Sequence, residues 1–261
     1  MPLRTRLGLL GIALLAAGCA ASRPPLSCGY LAADADIVFI ADGSGDFRTT
    51  SAALCQVVRD TGAPLRIETF VWSHGYGRML ADHLDHCNHL DEGRRLAALV
   101  AATRQSCPGR AIYLVGHSSG SAVVLAAAEA SPPGSIERVL LLAPAVAHNY
   151  DLRPALRNVC QSIEVFASSR DIGALGAGMA ITGTADRRWA AASGRVGFTP
   201  ILTCPGDEAL YTKLRIHPWD PSIEWTGNRG RHYGTIQPAY VRAYLLPLLV
   251  NRAAISALPP H

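Results

Sequence analysis

Short apolar runs alternate along the chain with longer stretches whose apolar positions recur every three or four residues. The runs fall at 36–40, 65–72, 111–115, 138–142, 163–167 and 213–216, and read as strands. Helical periodicity falls at 50–60, 78–104, 119–130, 153–159 and 238–250. Strand and helix patterns in alternation predict βαβ units, and so a mostly parallel α/β sheet of about six strands flanked by helices. Between Gly173 and Glu208 the chain is glycine-rich and has no clean period. That segment is expected to be an irregular excursion over the carboxyl edge of the sheet, where such sheets bind ligands.

The amino terminus departs from this alternation. Arg4 and Arg6 precede an apolar run at 7–17 that is too short to span a bilayer and has the flanks of an export signal. Its end, Leu15-Ala16-Ala17-Gly18-Cys19, resembles a bacterial lipobox, although Ala16 stands where leucine is more usual. The resemblance implies cleavage after Gly18 and a lipid on Cys19. The expected organisation is a signal peptide at 1–18, a tether at 19–35 and one folded domain at 36–261. The expected location is the cell envelope, lipid-anchored, and the outer membrane where the cell has one, because Ala20 rather than aspartate follows the cysteine.

Composition narrows this further. With 261 residues, 49% hydrophobic and 17% charged, the chain suits a single sizeable core. Its formal charge of +4 falls to +2 without Arg4 and Arg6, so nothing points to nucleic acid or another polyanion. Setting Cys19 aside leaves Cys28, Cys55, Cys87, Cys107, Cys160 and Cys204. Six cysteines in an exported chain suggest disulfides whose connectivity the sequence leaves open, with Cys87 and Cys107 one candidate pair.

The chemistry centres on Ile112 to Val124, IYLVGHSSGSAVV, a G-x-S-x-G placed between a strand pattern and a helix pattern. A serine at such a turn is exposed at the sheet edge, and Gly116 and Gly120 let the two backbones approach without Cβ clashes. This context resembles the α/β-hydrolase family over nearly the whole mature chain. The resemblance implies a triad in the order serine, acid, histidine. Ser118 takes the first role, Asp171, just past the run at 163–167, the second, and His232, in the loop between Gly230 and Gly234, the third. His217, Asp207 and Asp220 are the rivals. In this reading His232 is the general base and Asp171 fixes its tautomer. The oxyanion donors are the Ser119 N–H and, from the loop FIADGSGDF, the Ser44 N–H.

A second cluster, His83, His86, Cys87 and His89 interleaved with Asp82, Asp85 and Asp91, has spacings that would put some metal-ligand types on one helix face. It lacks the HExxH pattern, and a polar helix face accounts for it, so neither a metal nor another cofactor is expected. His74 and Tyr76 are expected beyond a strand end, packing near the pocket. The function implied is a serine hydrolase that cleaves a carboxylic ester through an acyl-enzyme, on a small or surface-presented substrate. Little room exists for a lid between Leu142 and Ile163, though 173–208 is placed to cover the site instead. Thioester or amide hydrolysis, or acyl transfer, on the same triad is the alternative, and a non-catalytic binding module is a further one.

Overall fold

A computed structural model describes residues 26–29 and 35–250. The expected signal peptide, Cys19 and most of the expected tether lie outside the described residues. Seven strands form one sheet: β1 (Ser27–Gly29), β2 (Asp36–Ala41), β3 (Leu65–Thr69), β4 (Ile112–His117), β5 (Ile136–Leu142), β6 (Val159–Ala167) and β7 (Leu214–Pro218), in the order β1-β3-β2-β4-β5-β6-β7. Six of them run parallel. The seventh, β1, lies antiparallel on the β3 edge and falls in the stretch expected as tether. It is held from outside its own sequence, because Cys28 is disulfide-bonded to Cys55.

Both faces of the sheet are covered, which is why its strands read as apolar runs. Ile37, Phe39 and Leu114 point into one core and Val38, Ile40, Tyr113 and Val115 into the other. The first core lies under the helices α3 (His86–Ser106), α4 (Gly120–Ala130) and α5 (Arg153–Asn158). The second lies under α1 (Thr49–Thr61) and the carboxyl-terminal helical segment 238–250. Helix α4 is buried at every position from Gly120 to Ala128, so it carries no polar face and packs between sheet and α3. Gly93 permits the α3 contact: a Cβ there would overlap that of Ala126.

The helix expected over 78–104 is two helices. A short α2 (Met79–Leu84) ends at Asp85, whose carboxylate accepts the Asn88 N–H at 3.0 Å and caps α3. The candidate pair Cys87 and Cys107 is excluded by α3 itself. They stand at its opposite ends, and at 1.5 Å rise per residue that is about 30 Å.

The excursion after β6 consists of short turns at 173–178, 179–182 and 193–196. It packs sideways on the segment after β5 through Ala185 N–H to Ala145 O, Ser193 N–H to Val146 O and Gly194 N–H to Pro144 O, at 2.8–2.9 Å.

Candidate active site

Strand β4 ends at His117, and Ser118 follows with φ +52°, a left-handed conformation that costs a non-glycine residue on the order of 1 kcal/mol. Three hydrogen bonds hold it there. Its N–H donates to Leu142 O at 3.0 Å, and its carbonyl accepts from Ser121 N–H and Ala145 N–H at 3.1 Å. The flanking glycines are needed on steric grounds. A Cβ on Gly116 would lie 2.7 Å from Ser121 Cα, and one on Gly120 would collide with the Ala41 and Asp42 carbonyls. Ser118 itself is half-buried, with its side chain at the carboxyl edge of β4.

Asp171 and His232 meet although 61 residues separate them: His232 Nδ1 and Asp171 Oδ2 are 2.6 Å apart. Asp171 is buried, and its other oxygen accepts the Leu175 N–H at 3.4 Å. A carboxylate on Nδ1 makes that nitrogen the donor and leaves Nε2 as the acceptor. The loop carrying His232 is tied to the elbow by His117, whose Nε2–H donates to the His232 carbonyl at 3.2 Å and whose ring lies 4.9 Å from that of His232. Burial, with the His232 charge second, pushes His117 down to about 3.

The loop after β2 runs beside the serine. A Cβ on Gly43 would stand 3.0 Å from His117 Nδ1 and 3.4 Å from Ser118 Cβ. Ser44 Oγ is buried without a hydrogen-bond partner among the described residues. Gly45, at φ +90°, turns the chain away again. Ser119, at the start of α4, is buried, and its hydroxyl lies 2.8 Å from His83 Nδ1. The first N–H groups of a helix have no partner within it, and that of Ser119 is among them.

The rival residues are engaged elsewhere. His217 Nε2 sits 2.6 Å from the buried Glu164 carboxylate and stacks on Phe166. Asp220 accepts the Ser222 N–H at the start of a 3₁₀ turn, and Asp207 accepts the Thr203 and Cys204 N–H groups and pairs with Arg153. The histidine-rich cluster is also divided. His83 turns to Ser119, while His89 Nε2–H donates to Asp82 O at 2.6 Å and burial holds its ring down to about 4. His74 pairs with Asp82 and Asp85, and Tyr76 packs edge-on against Phe47. With Met79 and Leu80 these two rings make an exposed apolar rim next to the Gly45 turn. The parts that sequence reasoning missed are Asp82, His83 and His117. Their residue types were visible, but each acts on a partner far away in sequence.

Residues 67–193 match the family model Hydrolase_4, described as serine aminopeptidase S33. The match is just under half of the chain, includes Ser118 and Asp171, and ends before His232. No curated protein sequence matches significantly. Among solved structures, Est1E from Butyrivibrio proteoclasticus with bound ferulic acid is similar at a TM-score of 0.51 and 11% identity, over 87% of this chain and 95% of that one. An α/β serine hydrolase without lid from Xanthomonas campestris gives 0.48 and 15% over 87% and 88%, and the carboxylesterase CesB from Bacillus subtilis 0.47 and 11% over 86% and 86%. At 11% identity the likeness to Est1E is one of fold. The sheet order, the strained serine between β4 and α4, and the short β5–β6 connection make this chain an α/β-hydrolase-fold protein, with no lid between those strands.

Proposed function

We propose that the protein is a serine hydrolase that cleaves carboxylic esters through an acyl-enzyme. The observation that carries the reading is the 2.6 Å pairing of His232 with buried Asp171 at the sheet edge where Ser118 is held at positive φ. Ser118 Oγ adds to the ester carbonyl while its proton passes to His232 Nε2, and Asp171 stabilises the imidazolium. The oxyanion lies between the N–H groups of Ser119 and Ser44. Collapse expels the alcohol, which takes the proton from His232. A water then adds to the acyl carbon in the same way, and the acid leaves as Ser118 regains its proton. The apolar rim of Phe47, Tyr76, Met79 and Leu80 favours an ester with an apolar portion.

Fluorophosphonate labelling and a series of p-nitrophenyl esters of rising chain length test this. Ser118→Ala is expected to lose labelling and about 10⁴- to 10⁶-fold in turnover, with an unchanged melting temperature. Comparable turnover in the variant refutes the reading. The match to a serine aminopeptidase family favours amide hydrolysis as the second reading. p-Nitroanilides of amino acids, turned over faster than the matching esters, would establish it.

The expected anchor has a geometric consequence. The Leu26 carbonyl accepts the Thr69 N–H at 2.9 Å and Ser27 pairs with Glu68, so the described chain begins at the carboxyl edge of the sheet, the edge that carries Ser118. Cys19 is seven residues earlier, a reach of at most about 25 Å. A lipid there would hold the catalytic edge close to the membrane, which suits esters presented by that surface. Mass spectrometry of the mature amino terminus tests the anchor, and an unmodified Cys19 in an uncleaved chain refutes it.

A further inference from the structure

Helix α2 is six residues long, exposes Met79 and Leu80, and contributes two adjacent buried side chains, Asp82 and His83, that bond to different parts of the chain. Asp82 is fully buried. Its Oδ2 accepts the Gly45 N–H and the Ser73 hydroxyl, both at 2.6 Å, and its Oδ1 accepts the His74 N–H at 2.7 Å. The Gly45 N–H belongs to the peptide unit that leaves Ser44, so this carboxylate anchors the loop one peptide unit beyond the Ser44 donor and limits how that residue can turn. The Gly45 carbonyl is held from the same side, accepting the Gly77 N–H at 2.9 Å.

His83 acts on the other donor. Its Nε2 lies 2.9 Å from Gly183 O, and a carbonyl can only accept, so Nε2 carries the proton. Nδ1 is then a bare lone pair, and the Ser119 hydroxyl donates to it at 2.8 Å. The ring therefore joins three separate parts of the chain: α2, the residue after the serine, and the excursion at Gly183. α2 is in turn fixed to α3, because His89 donates to the Asp82 carbonyl. The break at Asp85 is what allows α2 to leave the line of α3 and reach both arms.

We propose that α2 is a bracket that sets the separation of the two oxyanion donors, with Asp82 and His83 as positioning residues, one holding the Ser44 arm and the other the Ser119 arm. The proposal rests on the serine-hydrolase reading. Neither side chain touches the reacting atoms. Their effect lies in where two N–H groups point, and a displacement of about 1 Å at such a site is enough to cost on the order of 100-fold in rate.

The test uses the full chain and p-nitrophenyl acetate. His83→Leu removes both bonds of the ring, and His83→Gln restores them, since its amide oxygen accepts from Ser119 while its NH₂ donates to Gly183. The leucine variant is expected to lose about 10- to 100-fold in kcat with KM within about threefold, and to be labelled correspondingly more slowly by a fluorophosphonate. The glutamine variant is expected to recover most of the loss. Ser119→Ala cuts the same strut from its other end and serves if the leucine variant does not fold. It should lose a similar factor, and the double variant should be no worse than either single one. A folded His83→Leu or Ser119→Ala protein with wild-type kcat overturns the proposal. So does a loss that glutamine fails to recover and that follows the melting temperature, the mark of a purely structural bond. If Ser118→Ala retains turnover, the hydrolase reading fails and the bracket falls with it. If Ser118→Ala is dead while His83→Leu is fully active, only the bracket fails.

Discussion

Cys28 and Cys55 close a loop of 27 residues that ties the short edge strand β1 to α1. Taking n as 27 in the chain-entropy relation, cross-linking removes about 12 cal/mol/K from the unfolded ensemble, or about 3.6 kcal/mol at 25 °C. Both cysteines are buried, so neither half of the bridge rests on a surface loop that could relax in the folded state. The double variant Cys28→Ala/Cys55→Ala should therefore be less stable by about 3–4 kcal/mol, with a melting temperature lower by roughly 7–14 °C for a domain of this size. β1 has three residues and ladder bonds on one side only, so the loss should begin there. Amides of β1 and of the β3 edge should exchange faster than those of β4 and β5. The assay is thermal unfolding followed by circular dichroism, with hydrogen exchange on the same samples and wild type in a strong reductant as a control of unaltered sequence. A difference below 2 °C in both comparisons would refute the reasoning.

Asp171→Asn should leave the fold intact but reduce kcat/KM by about 10⁴-fold, since an amide on Nδ1 allows the wrong tautomer, and steady-state kinetics on a soluble ester reads this out. His232→Ala should be as inactive as Ser118→Ala. His217→Ala should keep most of its activity yet lose roughly 1–3 kcal/mol in urea unfolding, because Glu164 stays buried without its 2.6 Å partner; the reverse pattern would move the base to His217. Stability should also fall in mild acid. In the unfolded chain a histidine takes up its proton near pH 6.5, whereas burial keeps His89 neutral to about pH 4 and His117 to about pH 3. Their contribution is complete above pH 6.5 and is lost as pH drops from there toward 4, by up to about 1.4 kcal/mol per unit for each ring. Urea titrations at pH 7 and pH 5 that give the same unfolding free energy would contradict this.

The parts of the fold legible in the sequence are those that local chemistry specifies. The six parallel strands appear as apolar runs because both faces of the sheet are covered, and α4 follows the G-x-S-x-G because only glycine fits at 116 and 120. The placing of Asp171 and His232 rested on the family resemblance rather than on local pattern, and what the fold adds is that the two side chains meet 2.6 Å apart. β1 was not readable: Ser27-Cys28-Gly29 carries no pattern of its own and is a strand only because β3 offers an open edge and Cys55 a bond. Nor was the break at Asp85, where helical periodicity continues on both sides and a single side-chain cap decides the matter. The histidine cluster shows the limit most clearly. Spacing on one helix suggested a shared face, but His83 bonds to Ser119, 36 residues away, and to Gly183, 100 residues away, while His89 turns back to Asp82. Periodicity records which side of an element is buried, because burial acts residue by residue. Which buried polar group meets which is determined by how the elements stack, and that exists only once the chain has folded.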